Sequence, residues 1–490
     1  MLRRAIAINS VAMAVNVVGQ LVSVAVLSRL LSPAEIGTFS VAASIAAMLV
    51  AFRDIGVSLF IVQERDLTDD KLQSAITLLV ITCSMFGLLL YLSSDALAVF
   101  YRSAGLTSIV QLIAANFVFV PWIATISSRM QRELAYGELA AVSIVAGLMG
   151  ITTSIVLAWQ EMGPISLAWG TLASTAAQLV CLVACRPRYL RWTPTVRAMP
   201  LILRFGWKAL VGSIASQTSS AAPDLILGRT LGFDAVALFN RAMAIRSLVA
   251  SHLVQVVQSS LLPKLAAEHR DDELTAATFL YRNRYLTGIF IPIYALTIAL
   301  AEPLTLLLFG SQWLRSVPIA QLLCAAPILA MPYALVKTVS TASGRMGALA
   351  GLELACLAAR VFAIAVGSTV GLAAAAALMA IESLVYAAML GRVARQTFGL
   401  GARKLYRNSA GDFGIGLAGA ASAWLGSLLP AVALPPSAAS PFLAVLFGSV
   451  AGFAAMGLLL PQWNPVLHAE LRGLSMRILV ARGGARGKAE

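Results

Sequence analysis

The chain has 490 residues, of which 59% are hydrophobic and only 12% are charged, and its mean hydropathy is +0.85. A soluble protein needs far more charge on a water-facing surface, so this composition excludes a soluble globular protein. The net charge of +14 would suggest nucleic-acid binding in a soluble chain, but in a membrane protein its meaning depends on which loops carry it.

Apolar segments long enough to cross a bilayer recur along the whole chain. A hydrocarbon core of roughly 30 Å requires about 20 apolar residues per helix. Fourteen such spans are predicted, at residues 8–30, 37–61, 72–92, 107–128, 139–159, 164–184, 205–226, 238–261, 286–308, 317–341, 347–367, 371–391, 412–430 and 442–460. The sequence therefore predicts an all-α polytopic membrane protein whose first span is retained, because its apolar run is too long for a signal peptide.

Basic residues concentrate in alternate loops. With the N-terminus inside, the cytoplasmic segments hold most of them, including clusters at residues 186–204, 392–407 and 472–488. The opposite loops hold only Arg102, Arg229 and Arg315. The positive-inside rule then predicts that both termini are cytoplasmic, and it makes nucleic acid an unexpected partner.

An internal repeat indicates two related halves. The segment Leu27–Phe39, LSRLLSPAEIGTF, returns about two hundred residues later as LGRTLGFDAVALF, Leu227–Phe239, without a gap. In both copies an apolar helix is predicted to end just after an arginine, and a second one begins after a short turn. We therefore predict an N-terminal six-helix lobe at 1–200, a second at 201–395, and a basic loop, two extra helices and a basic tail at 396–490.

Several functions are disfavoured by what the sequence lacks. There is no G-x-x-x-x-G-K-[ST] loop and no extramembrane segment longer than about thirty residues, so the chain is not a primary pump. A membrane enzyme of polysaccharide assembly would need a sizeable outer loop, and none is present. The three histidines are too scattered for a metal site; four of the five cysteines fall in predicted spans, and Cys185 lies one residue past the sixth span.

Polar residues inside the predicted spans are the remaining chemistry, because each is costly in hydrocarbon. The charged ones are Arg53, Asp54, Asp224, Arg241, Arg246, Glu353, Arg360 and Glu382. Glu353 and Arg360 share one helix face two turns apart, close enough to line one vestibule. The alternative is that paired charges lock helices together, as small and hydroxyl residues do by close packing.

Several motifs together resemble the polysaccharide biosynthesis flippases. These are the Wzx-type members of the multidrug/oligosaccharidyl-lipid/polysaccharide exporter superfamily, especially its colanic-acid-like branch. The motifs are LSRLLSPAEIG, FRDIGVSLFIVQERDLTDDKLQSAITL, MQREL, RFGWKALVGSIASQTSSAAPDLILGRTLGFDAVALFNRA, SSLLPKLA and LLFGSQWLRSVPIAQLL. The similarity covers roughly Arg3 to Arg395. It implies two six-helix bundles in a V with pseudo-twofold symmetry, as in MATE transporters, plus two C-terminal helices.

The function expected from this resemblance is the flipping of undecaprenyl-diphosphate-linked oligosaccharide across a bacterial inner membrane. Arginine suits the diphosphate because its planar fork pairs two oxygens and stays protonated in a membrane. The expected diphosphate ligands are Arg53, Arg241, Arg246 and Arg360, and the expected sugar ligands are Asn16, Gln20, Gln217 and Gln255. No cofactor is expected; Asp54, Asp224, Glu353 and Glu382 are candidates for coupling to a proton or sodium ion. Expected partners are the lipid-linked oligosaccharide, membrane lipid, and the polysaccharide polymerase and export machinery.

Two other functions stay open from the sequence. A cation-coupled multidrug antiporter would share the fold but would favour acidic residues for cationic substrates, and here the four candidate arginines equal the four candidate acids in number. A membrane enzyme of polysaccharide assembly is the second alternative, disfavoured by the short outer loops.

Overall fold

The protein forms two compact units, Met1–Ala237 and Leu238–Glu490. The structure, a computed structural model, describes residues 2–190, 192–247, 275–336, 339, 346–433, 440–469 and 472. Every regular element within these residues is a helix. The predicted division into lobes at residues 200 and 395, which was drawn from the repeat, stays a prediction.

The first unit is built from ten helices within its described residues, and the chain leaves it through an eleventh. Their bounds are α1 Leu2–Leu30, α2 Pro33–Asp54, α3 Val57–Gln63, α4 Asp69–Leu92, α5 Ser94–Tyr101, α6 Gly105–Ala115, α7 Val120–Arg132, α8 Tyr136–Trp159, α9 Ile165–Cys185, α10 Met199–Thr230 and α11 233–247. Helix α8 packs between α1 and α9, and α10 packs along α2. The seventh predicted span therefore belongs, as α10, to the same compact unit as α2.

The second unit has seven further helices among its described residues. They are α12 Ala276–Ala299, α13 Ala301–Leu308, α14 Val317–Ala330, α15 Met346–Val370, α16 Leu372–Phe398, α17 Ala402–Ala433 and α18 Ser440–Trp463. Its main core includes Phe279, Phe290, Tyr333 and Leu405, and it joins α12, α14, α16 and α17. The last two helices, α17 and α18, pack on each other and on α12.

The two copies of the repeat adopt the same local structure. In the first, α1 ends at Leu30 and α2 begins after Ser32, whose hydroxyl accepts a hydrogen bond from the Glu35 backbone N–H at 3.4 Å. In the second, α10 ends at Thr230 and α11 begins after Gly232, which has a φ of 86°. The helix–turn–helix predicted from each copy is confirmed, and local capping residues explain why it could be predicted.

The described residues contain nine helices long and apolar enough to cross a membrane, or eleven if two bent pairs each count as one span. The bends are 45° between Gly105–Val118 and Val120–Arg132, and 69° between Ala276–Ala299 and Ala301–Leu308. The protein is therefore an all-helical, multi-pass membrane protein. The predicted number of fourteen stays a prediction, and the eighth predicted span is described only as far as residue 247.

Candidate functional site

Arg53 and Asp54 lie where the second predicted span breaks. Helix α2 ends at Asp54, and both Ile55 and Gly56 have a positive φ, 41° and 70°, before α3 begins. The Asp54 carboxylate accepts hydrogen bonds from the backbone N–H of Ser58 at 3.2 Å and from the Ser58 hydroxyl at 2.9 Å. Asp54 therefore accepts hydrogen bonds from donors in the first turn of α3, which have no partner within the helix. The sequence did not reveal this structural role.

The far end of α3 is held by Arg132, the arginine of the MQREL motif. Its guanidinium donates to the backbone carbonyls of Ile61 at 3.2 Å, Arg65 at 3.1 Å and Glu64. A cation suits the C-terminal end of a helix because the last carbonyls there have no intrahelical donor. Side chains thus form hydrogen bonds with the backbone groups at both ends of α3. These bonds stabilise the short helix that follows the break in the apolar span.

Helix α10 approaches this break closely. A Cβ atom on Gly206 would overlap the carbonyl oxygen of Ile55, and the neighbouring Phe205 ring packs edge-on against Phe60 with centroids 5.5 Å apart. Only glycine allows the two backbones to come this close. Helix α10 therefore packs directly against the turn that follows Arg53 and Asp54.

The Arg53 guanidinium has few polar neighbours. One terminal nitrogen donates to the Cys83 sulfur at 3.8 Å, and its Nε is buried without a hydrogen-bond partner among the described residues. The backbone carbonyl of Arg53 accepts from the Thr82 hydroxyl at 2.9 Å. The backbone is thus held firmly, whereas the charged group has no carboxylate beside it in the described part of the chain.

Two candidates on α10 are engaged with α2. The Asp224 carboxylate is buried and accepts a hydrogen bond from the Ser44 hydroxyl at 2.6 Å. Two turns earlier on α10, Gln217 donates to the backbone carbonyl of Ala47 at 3.2 Å. These two hydrogen bonds join α2 to α10, as expected where polar residues hold helices together.

The candidates on α1 differ in exposure. Asn16 donates to the Ser143 hydroxyl on α8 at 3.1 Å and so joins two helices of the first unit. Gln20 is exposed. Gln255 lies outside the described residues.

In the second unit, Arg241 is held by aromatic rings. Its guanidinium lies 5.2 Å from the ring centroid of Phe309 and 5.0 Å from that of Trp313, both in the FGSQW motif. Cation–π contacts of this kind stabilise a buried guanidinium without a carboxylate. This geometry attaches α11 to the turn after α13, which is a structural role for a residue predicted to bind substrate.

Arg246, one and a half turns further along α11, lies near sulfur atoms and a hydroxyl group. One of its terminal nitrogens donates to the Met243 sulfur at 3.8 Å on the same helix. It also lies beside the Tyr294 hydroxyl and near Cys324. Among the described residues no carboxylate pairs with Arg246, so it resembles Arg53 in this respect.

Arg360 has an acidic partner on the next helix. Its Nε lies 3.3 Å from a carboxylate oxygen of Glu382 on α16. Glu353, which shares the helix face of Arg360, accepts a hydrogen bond from the Tyr386 hydroxyl at 2.9 Å. The four groups form one polar cluster between α15 and α16, which the sequence predicted only in part.

A fully buried polar cluster was missed by the sequence. The Asp412 carboxylate on α17 accepts hydrogen bonds of 2.6 Å from both Thr287 on α12 and Asn464 after α18. Arg284 donates to the backbone carbonyl of Trp463 at 2.6 Å. This cluster attaches the last two helices to α12. Gly288, which packs against Asn464, is the signal that marks the close approach.

Solved structures with a similar fold are transport proteins. The lipid II flippase MurJ in an inward closed conformation matches with a TM-score of 0.73 and 13% identity, over 92% of this chain and 98% of that one. An inward-facing multidrug resistance MATE family transporter of the MOP superfamily matches with a TM-score of 0.59 and 14% identity, over 80% of this chain and 99% of that one. At such low identity these likenesses establish the fold, which is MurJ- and MATE-like.

Sequence relatives agree with this fold. The lipopolysaccharide biosynthesis protein WzxC of Escherichia coli strain K12 is 23% identical over 314 residues, which cover 63% of each chain. The match thus spans a little under two thirds of the relative's length. The profile of the polysaccharide biosynthesis protein family matches residues 26–318. The resemblance seen in the motifs is therefore confirmed, and the chain belongs to the polysaccharide biosynthesis protein family.

Proposed function

We propose that this protein flips an undecaprenyl-diphosphate-linked oligosaccharide from the cytoplasmic to the periplasmic leaflet of a bacterial inner membrane. Family membership and the similarity to WzxC support a role in polysaccharide synthesis. The fold of a lipid II flippase supports a lipid-linked substrate. The product would supply exopolysaccharide, O-antigen or capsule, with a polymerase and export machinery as partners.

The observation that carries this proposal is the pair of arginines without carboxylate partners. Arg53 and Arg246 lie in apolar helices, and within the described residues their polar neighbours are sulfur atoms and a hydroxyl group. A buried cation without a counter-ion is costly, and an anion that enters with the substrate relieves this cost. A diphosphate supplies such an anion with oxygens that match the guanidinium fork.

The contacts of each remaining candidate residue support a different role for it. Within the second unit, Arg360 is a further candidate ligand for the diphosphate once its own carboxylate partner moves away. Arg241 holds α11 between aromatic rings, and Asp54 and Asp224 accept hydrogen bonds from serines. Glu353 and Glu382 are the carboxylates that we assign to coupling with a proton or sodium ion.

The orientation follows from charge. Positively charged loops stay on the cytoplasmic side, so we place both termini there, in the inner membrane. Transport then begins at the face that carries the basic clusters. These clusters also attract anionic headgroups to the loading side.

The proposal is tested by following the lipid-linked oligosaccharide in cells. A strain that lacks this gene and every paralogue should make no polymer and should keep the labelled lipid-linked intermediate on the inner leaflet, where an impermeant oxidant such as periodate cannot reach it. Restoring the wild-type gene should expose the intermediate to the oxidant and restore polymer. Normal polymer in the deletion strain would contradict the flippase proposal, and sensitivity of that strain to cationic dyes alone would support a multidrug antiporter.

A further inference from the structure

Glu382 is buried in the membrane-spanning part of the second unit with its two oxygens in different surroundings. Its side chain is 4% exposed, and Oε2 lies 3.3 Å from Nε of Arg360, whose side chain is 31% exposed. The other oxygen, Oε1, is buried and has no hydrogen-bond partner among the described residues. A carboxylate can accept about four hydrogen bonds, so this one is held on one side only.

Among the described residues around Glu382, Arg360 is the one that supplies a positive charge. On α15, Cys356 and Glu353 lie near the pair, and on α16 Tyr386 donates to Glu353. Helix α14 also packs against α16, and its residues Val317–Ala330 include no charged side chain. Apart from Arg360, none of these neighbours in the described chain carries a positive charge. Removal of Arg360 from Glu382 would therefore leave a buried anion.

We propose that Glu382 is a displaceable counter-ion that occupies Arg360 until a diphosphate arrives, and that it takes up one proton when displaced. This inference rests on the proposed function and adds its regulation. The guanidinium that now faces one carboxylate oxygen would instead face two phosphate oxygens, which form a stronger charge-assisted contact. The partly exposed face of Arg360 is where the incoming anion makes its first contact.

The proton follows from the burial of Glu382. A carboxylate without a partner in a low-dielectric interior is unstable in its charged form, so it binds a proton from the aqueous phase. The Oε1–H bond forms at the oxygen that has no hydrogen-bond partner among the described residues, and the proton's bond to hydronium or to a protonated buffer molecule breaks; no other covalent bond changes. A lipid–diphosphate–sugar diester carries two negative charges, so the bound proton reduces the charge that crosses the hydrocarbon by one.

Coupled uptake predicts a definite pH dependence. If one proton enters with each diphosphate, the dissociation constant rises about tenfold per pH unit while Glu382 starts unprotonated. The amide of Glu382→Gln cannot titrate and does not compete as an anion. That variant should bind more tightly than the wild type at about pH 8 and should show no such slope.

The experiment uses the purified full-length protein in lipid nanodiscs and farnesyl-diphosphate-linked N-acetylglucosamine as the probe. This diester has no group that titrates near neutral pH, so any proton exchanged belongs to the protein. Calorimetry in two buffers of different ionisation enthalpy counts the protons bound. We expect about one proton per bound probe for the wild type and for the control Glu302→Gln, whose side chain is exposed on α13, and none for Glu382→Gln.

The outcomes separate the two proposals. Probe binding by the wild type without proton uptake and without a pH slope would overturn the counter-ion inference and leave the flippase proposal in place. Failure of the wild type to bind the probe at any pH would overturn both. If Glu382→Gln does not fold, the wild-type proton count and pH slope decide the question without it.

Discussion

Arg53 and Arg360 lie in similar apolar helices but have different neighbours. Arg53 faces a cysteine sulfur at 3.8 Å and no carboxylate among the described residues, whereas Arg360 faces Glu382 at 3.3 Å. The same residue type is thus left without a counter-ion in the first unit and supplied with one in the second. The neighbouring side chains, and not the residue type, distinguish an arginine without a carboxylate partner from one that already has an anion beside it.

The difference has energetic consequences that mutation can expose. Alanine in place of an arginine without a carboxylate partner removes a charge and leaves no buried acid behind. Alanine in place of Arg360 leaves the Glu382 carboxylate buried, and breaking a buried pair in this way costs about 3–5 kcal/mol in soluble proteins. Alanine at Arg53 should therefore reduce transport without reducing stability, whereas alanine at Arg360 should reduce both.

The largest expected effect is loss of transport in Arg53→Ala and Arg246→Ala. Each change removes about two charge-assisted hydrogen bonds of roughly 1.5 kcal/mol to the diphosphate, so substrate binding should weaken about 100-fold or more. Polymer output and probe binding should fall while thermal unfolding of the purified protein is unchanged. Lysine should restore part of the binding, because it keeps the charge but not the fork.

The control for these variants is Arg315→Ala, which removes an exposed arginine from the loop before α14. It should keep both transport and stability. Equal loss of transport in all three variants would show that total charge matters and that Arg53 and Arg246 are not specific ligands.

A smaller effect on transport but a larger one on stability is expected for Arg360→Ala. We expect a loss of about 3–5 kcal/mol in the free energy of unfolding, because Glu382 is left without its cation. Adding Glu382→Gln should recover most of that stability without recovering full probe affinity. Denaturant titration beside calorimetric binding measures the two separately. A double variant that regains both would make Arg360 a structural residue and remove it from the proposed site.

The sequence could predict features that depend on local chemistry. The helix–turn–helix in each copy of the repeat was confirmed, because an arginine and a short turn mark where one helix ends and the next begins. The second helix begins earlier than predicted in both copies, at Pro33 and at residue 233 and not at 37 and 238. The membrane class follows from composition alone. These signals need no knowledge of how distant helices pack.

The partners of the charged residues could not be predicted, because they depend on packing between helices. Glu353 shares a helix face with Arg360 in sequence, but the acid that pairs with Arg360 is Glu382 on the next helix. Asp412 was not among the candidates, because nothing in its own helix reveals that Thr287 and Asn464 meet it. The break after Asp54 was missed because Ile55 adopts a positive φ that β-branched residues avoid.

The last prediction concerns the break that places Arg53. In Gly206→Ala the added methyl group would overlap the carbonyl oxygen of Ile55, a backbone atom that cannot rotate away. Either α10 moves outward or the turn at Ile55 shifts, and overpacking of this kind costs about 1–3 kcal/mol. Gly212→Ala is the matched control on the same helix, because a Cβ there meets nothing within 4 Å. It should be neutral or stabilise the helix by up to about 1 kcal/mol.

Gly206→Ala and Gly212→Ala test whether the backbone turn next to Arg53 determines how that arginine binds the diphosphate. If the contact between Gly206 and Ile55 fixes the position of Arg53, Gly206→Ala should lower both the free energy of unfolding and the affinity for the diphosphate probe. Gly212→Ala should change neither for the worse. Because Arg360 depends on Glu382 and not on this break, the proton uptake per bound probe should remain about one in Gly206→Ala. Full transport and unchanged stability in that variant would mean that α10 does not position Arg53.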